Sequence, residues 1–444
     1  MGLQSAFVTA ISGLNATGRA LSEIGNNIAN SETVGFKSGR VSFGDLYGAT
    51  IGGGGTTTSL QEGRGVSVTG ADRNFTQGSL RTTANSLDLA VDGDGFFLVN
   101  DAGGNNFYTR DGQFGLNNVG EIVNNKGLKL QGYQADSNGA ILGTIGDIVL
   151  TTSQVAASAT STISMSGNLQ SDATATTFSI NNLTGTTQFS TGVRIFDSLG
   201  NGHDVTLYFS RTATNTWSYY LVAPAGEVTV DASAVDSSTI NALVVSGTLA
   251  FTSNGALDTE STVTYYDAST GTPGGIDFTG GATANQTLSF GFGTSVTTDS
   301  GLGLDGITQF GSQSVALTLG QNGFANGTLR GSTIEEDGTI VGQFSNGTVR
   351  NLGQVLLARF VNSDGLSAVG GNLFIESNSS GAPLAGAPKT GAFGSVVGNT
   401  LELANVDLGD ELVNMITMQR AFQANSRIIT TANDLLGEIV NLSR

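Results

Sequence analysis

At 444 residues the chain is long enough for roughly two to four domains, and its 65 Gly, 4 Pro and 12% charged residues favour short strands and tight turns over charge-laced helices. A net charge of −18 argues against nucleic-acid binding, which needs basic patches to displace counterions, and it repels anionic membranes. Cysteine is absent, which excludes disulfides, Cys-based metal sites and thiol catalysis, and no run of about 18 apolar residues offers a membrane span.

The first basic residue is Arg19, so the N-terminus lacks the positive region of a conventional signal peptide, and export would need another route. From Leu3 to Ile28 apolar residues recur at heptad spacing. Phe7, Leu14, Leu21 and Ile28 hold one seam position; Leu3, Ala10, Thr17 and Ile24 hold the other. The spacing predicts a helix ~40 Å long that ends at Asn30 and Ser31, before Gly35. Residues 31–75 are expected to form a linking segment, with Gly52 to Gly55 and Thr56 to Thr58 as a flexible loop by composition.

Alternating apolar residues over Leu87–Val91 and Gly95–Val99 predict strands, and the same style returns at Gln354–Val361. Residues 76–150 and 325–404 are therefore expected to fold together as one discontinuous β-domain. Residues 151–324 between them are rich in Thr, Ser and Gly and carry twelve acidic but two basic residues, Arg194 and Arg211. That shift in composition predicts an inserted second β-domain.

The search for chemistry finds no catalytic, cofactor or metal residues. His203 is the single histidine, and no G-x-S-x-G elbow accompanies it; the spacing of Gly200, Asn201 and Gly202 reads as a turn that includes His203. Gly301 to Gly306 matches G-x-G-x-x-G, but no helix opens after it and no βαβ unit surrounds it. Asp92 to Gly95 lacks the rest of a calcium loop and reads as a tight hairpin turn. Asn326-Gly327 and Asn346-Gly347 likewise read as hairpin turns rather than glycosylation sites.

The last 38 residues repeat the heptad design. Leu408, Met415, Phe422, Ile429 and Leu436 are seven apart; Leu412, Gln419, Ser426, Asn433 and Val440 fill a more polar second seam. Asp407, Asp410 and Glu411 crowd the first turn, where the helix dipole favours negative charge. The expected class is α+β, mainly β, with nested discontinuous β-domains and N- and C-terminal helices (1–30 and 405–444) pairing as a coiled coil.

Several segments resemble the rod and hook branch of the bacterial flagellar axial-protein family. They are Asn26, Asn27 and Asn30 followed by Gly35, Phe36 and Lys37; Val91 to Gly95 with Phe96 and Phe97; Tyr108 to Gly112; and Gln419, Arg420, Ala421 and Asn425. The matches cover about 1–150 and 325–444. The length favours a hook subunit over a distal rod subunit, the alternative within the family; a secreted β-rich adhesin is the alternative outside it.

The resemblance implies a non-enzymatic subunit of a curved, flexible, extracellular tube that transmits torque from rod to filament. It implies partners that are other copies of the chain, the distal rod, the hook cap, the hook–filament junction proteins and the flagellar type III export apparatus, with no cofactor, nucleic acid or membrane insertion. The seam residues named above would form the inner polymer contact. Phe43 and Tyr47 resemble a short aromatic-x-x-x-hydrophobic export motif.

Overall fold

The computed structural model describes residues 2–47, 63–150, 154–267 and 274–442. The Gly and Thr tract expected as a flexible loop lies outside the described residues.

An N-terminal helix spans Gly2–Ala29 and a C-terminal helix spans Leu408–Leu442. Asp407 caps the second: its carboxylate accepts from the Gly409 and Asp410 N–H groups at 2.8 and 3.2 Å, satisfying donors that have no intrahelical partner. The first helix ends where the Asn30 side chain donates back to the Asn26 carbonyl, after which Gly35 turns the chain at φ +68°. Gly39–Tyr47 then pairs with Gly63–Arg73 as a two-stranded antiparallel ribbon. The ribbon is fastened to the helix through the Val66 N–H, which donates to Ser12 Oγ at 3.1 Å.

The chain divides into two compact units. The first contains residues 1–152, 331–343 and 349–444. At its centre, Phe96–Asn100 pairs with Asn106–Thr109, Lys129–Ala135 and Leu357–Arg359. Leu89, Val91, Phe97, Ile122, Leu130, Val355 and Leu357 form the core beneath these strands. Strands distant in sequence close the unit: Leu80–Thr82 pairs with Thr400–Glu402, and Leu89–Asp92 with Ser395–Gly398.

That last pairing corrects the expected hairpin at Asp92–Gly95. Gly93 and Gly95 do turn the chain at φ +101° and +138°, but the strands they join belong to different pairings. The returning segment at Gly394 takes the place a hairpin partner would have, so close to Gly93 that a Cβ there would lie 3.1 Å from the Gly394 Cα.

The second unit contains residues 153–330 and 344–348. An antiparallel sheet runs in the order Phe189–Phe196, Gly202–Ala213, Thr216–Pro224, Asn241–Phe251, Leu257–Glu260. A second sheet centres on Thr162–Gln170, flanked by Ser289–Gly291, Ile307–Phe310 and Val315–Gln321. Phe209, Trp217, Tyr219, Phe292 and Ile307 share one core contributed by both sheets. The two ends of the long segment meet in antiparallel bridges, Val155 with Gly327 and Ser158 with Phe324.

Two expected turns fall elsewhere. Asn346-Gly347 is a hairpin turn, with Gly347 at φ +81°. Asn326-Gly327 is not: Gly327 pairs with Val155, and the Asn346 side chain covers it so closely that a Cβ would come within 2.6 Å of it. His203 is a strand residue rather than a turn residue. Asp197 closes the turn by itself, its Oδ1 accepting from the Leu199 and Asn201 N–H groups at 2.9 Å. Strand alternation from Gly202 then turns His203, Val205, Leu207 and Phe209 inward. The ring stacks on Phe278 and lies 2.7 Å from the Glu227 carboxylate and 3.4 Å from that of Asp197.

Glu260 is a weak point of this second unit. Its Oε1 is buried without a partner. Burial, and secondarily the charge of Asp299, pushes its carboxyl up to about 7. A raised carboxyl pKa contributes stability that is complete below the unfolded value of 4.5 and is lost as pH rises through about 7. Glu260→Gln should therefore raise the melting temperature of the second unit at pH 8 and leave it nearly unchanged at pH 4, followed by the fluorescence of Trp217, the one tryptophan, which is fully buried in that unit.

Candidate polymerisation surface and the junction that carries it

The segment leaving the N-terminal helix and the segment entering the C-terminal helix are tied at one buried point. Lys37 Nζ lies 2.6 Å from Glu402 Oε1, and Arg110 Nη1 lies 3.1 Å from Glu402 Oε2. The Lys37 and Glu402 side chains are 0% exposed. Lys37 also donates to the Thr76 carbonyl at 2.7 Å, and Arg110 to the Gly93 carbonyl at 2.7 Å. The Gly78 N–H donates to Glu402 Oε1, and the Gly35 N–H to the Glu402 carbonyl. Burial holds the Lys37 ammonium below its ordinary value, opposed by the attraction of Glu402.

Several of the motif residues quoted for the family lie around this point. A Cβ on Gly35 would lie 2.5 Å from the Asp111 backbone nitrogen, so only glycine permits the approach. Phe36 is buried under Arg73, and the Arg110 guanidinium sits 5.3 Å from the centre of the Phe96 ring. Gly95 is buried against Leu357, and Phe97 belongs to the neighbouring core. Asn27 pairs through both side-chain atoms with the Gly39 backbone at 2.9 Å and donates to Glu411 Oε1 at 3.0 Å. Asn26 and Asn30 bond each other at the helix end.

Two residues that sequence reasoning did not single out belong to the junction. Glu402 carries the anion, and its signal was a lone acid between two leucines, Leu401 and Leu403. The Asn405 side chain accepts from the Ser38 N–H and donates to the Asn74 carbonyl, leaving no trace in periodicity.

Beyond the junction the two helices run antiparallel, since Asn27 meets Glu411 and Gly13 meets Asn425. Their contact mixes small and polar residues with a few larger apolar ones. Ala10, Ala16, Ala20, Ile24 and Asn27 are buried on one helix. Glu411, Met415, Met418, Ala421, Asn425 and Ile429 are half-buried on the other, with Ala432 buried.

The remaining predicted seam residues flank this stripe. Phe7, Leu14, Leu21 and Ile28 are half-buried. Leu408, Leu412, Phe422 and Leu436 are exposed, as are Ile416, Ile428 and Leu435, which share the helix. Leu14 and Phe422 line one open groove of about 830 Å³ together with Val66 and Val68. Gln419 and Arg420 face solvent. The side chains of Leu3, Val440 and Tyr47 lie outside the described ones, and Phe43 is exposed on the ribbon. Among the described residues no cluster of His, Asp and Glu has metal-binding geometry.

The chain is 37% identical to the flagellar hook protein FlgE of Salmonella typhimurium over 98% of its own length and 99% of the relative's. The chain belongs to the flagellar hook protein family. The Escherichia coli hook protein is also 37% identical, over 98% of this chain and all of its own, and that of Treponema pallidum is 31% identical over 98% and 99%. Four family descriptions match in chain order: flagella basal body rod protein at 7–37, flagellar hook protein FlgE/F/G D1 domain at 90–186, flagellar basal body protein FlaE D2 domain at 166–324, and flagellar basal body rod FlgEFG protein C-terminal at 397–442. Within this hook-family chain the first and last of these contain Lys37 and Glu402, the two ends of the buried ion pair.

Gly13 and Gly18 test the stripe by contrast. A Cβ on Gly13 would meet the Asn425 amide at 2.7 Å, whereas Gly18 has open space. Gly13→Leu should lower amide-exchange protection across Gly13–Ala20 and Asn425–Ala432. Gly18→Leu should raise it, by about 0.5–1 kcal/mol in helix stability.

Proposed function

We propose that the chain is a structural subunit, without enzymatic activity, that polymerises through its terminal helices into the curved, flexible tube of the flagellar hook and transmits torque between rod and filament. The observation that carries this is the divided surface of the C-terminal helix. The stripe facing its own partner helix is buried or half-buried, while Leu408, Leu412 and Ile416 on one flank and Ile428 and Leu435 on the other are exposed. An exposed apolar strip of this length marks an interaction surface, and burying each such side chain contributes about 1.5–3 kcal/mol. Copies of the same helix pair, packed side by side, satisfy both flanks at once.

On this proposal the terminal helices lie innermost in the tube, and the inserted segment 151–324 meets its counterparts on neighbouring copies. The acidic charge of that segment, −10 of the total −18, then faces like charge on neighbouring copies. Screening within ~8 Å at physiological salt lets it set spacing without preventing assembly. The distal rod, hook cap and hook–filament junction proteins would meet the ends of the polymer, and the type III apparatus would export the chain.

Phe422 is exposed in the single chain, so Phe422→Asp should leave the monomer folded and abolish tube formation, as seen by electron microscopy of the purified variant. Normal tubes from it would exclude the helix flanks as the polymer contact. For export, Phe43 stands on the exposed face of the ribbon, and Phe43→Ala should reduce secretion several-fold while the purified variant still polymerises; unchanged secretion would remove the motif from consideration.

A further inference from the structure

We propose that the buried contact of Lys37, Arg110 and Glu402 is a closure latch: the first unit cannot close until residue 402 is in place, whereas the second unit folds earlier and on its own.

The two cations come from the first quarter of the chain and the anion from its last tenth. Lys37 and Glu402 are separated by 365 residues. Without Glu402, Lys37 and Arg110 would sit together in the interior with backbone carbonyls as their remaining named partners. Leaving a buried charge unpaired is among the most costly single changes a fold can suffer. The same C-terminal stretch supplies two strands. Thr400–Glu402 covers Leu80–Thr82, and Ser395–Gly398 covers Leu89–Asp92, which carries the fully buried core residues Leu89 and Val91. The charge requirement and the missing strands act on the same segment, so the N-terminal half of the unit has no ion-paired arrangement of its own for these two cations.

The second unit has no such dependence. Its closing bridges, Val155 with Gly327 and Ser158 with Phe324, and the hydrogen bond from the Ser345 N–H to the Thr328 carbonyl all form within residues 153–348. In a chain that emerges N-terminus first, this unit is complete before residue 402 exists. The first unit, with the helices it carries, is held open to the end.

The test uses the full-length chain and two probes. Trp217 fluorescence reports the second unit, and amide exchange at Leu89–Val91 and Val355–Leu357 reports the core of the first. Glu402→Gln should lower protection at those amides on the order of a hundredfold or more while the Trp217 transition stays unchanged. The triple variant Lys37→Met, Arg110→Met, Glu402→Leu, which removes the charges rather than the pairing, should recover most of the protection. On refolding the wild-type chain from denaturant, the Trp217 signal should return before protection of the first unit. Three results would overturn the latch: unchanged protection in Glu402→Gln, a Trp217 transition that shifts with it, or a triple variant as unprotected as the single one.

Discussion

One buried carboxylate sets the terms for the rest of this structure. Glu402 pairs with both Lys37 and Arg110 in the interior, and three segments must arrive there together: the exit of the N-terminal helix, the turn after Asn106–Thr109, and the strand that leads into the C-terminal helix. Ion pairs at the surface contribute little, and a buried one is weak evidence of stability in itself. What it supplies is register. With Gly35, Asn27 and Asn405 bonded around it, the two helices leave the β-structure at fixed points and in fixed phase, so the same stripe of each faces the other.

That phase explains the division of labour on the helices. Gly13 and Asn425 approach closely within the stripe, and Leu408, Leu412, Ile416, Ile428 and Leu435 are left exposed beside it. A pair joined through its bulky residues would be a better isolated hairpin and a poorer building block. On the proposal above, the exposed apolar flanks serve other copies, while the base of the helix pair is fixed by the bonds around Glu402.

The helices were legible because their period is strong: Phe7, Leu14, Leu21 and Ile28 and their C-terminal counterparts announce themselves at seven-residue spacing. Which stripe pairs within the chain was not legible, because a search for apolar seams passes over Gly13 and Asn425. Lys37 was among the residues quoted for the family, but its partner lies 365 positions away, and no local pattern connects them. The three misplaced turns share a cause. At Asp92–Gly95, Asn326-Gly327 and His203, local turn chemistry was outweighed by a distant strand, by the Asn346 side chain, or by an Asp197 turn that had already closed. The flat charge pattern of the second unit gave its acidity but not the Thr328 to Ser345 bond that groups residues 344–348 with it.

The paired bridges at the base of the second unit have a further consequence. Val155 to Gly327 and Ser158 to Phe324 bring the two ends of a segment of more than a hundred and fifty residues to neighbouring positions, so the chain enters and leaves that segment at nearly the same place. Ends this close tolerate exchange of what lies between them. The segment can lengthen, shrink or be replaced by an unrelated fold whose termini are equally close, without new demands on the strands that precede and follow it. For the engineer it is a ready attachment point for displayed cargo, and for evolution it is the part of the molecule freest to change in size.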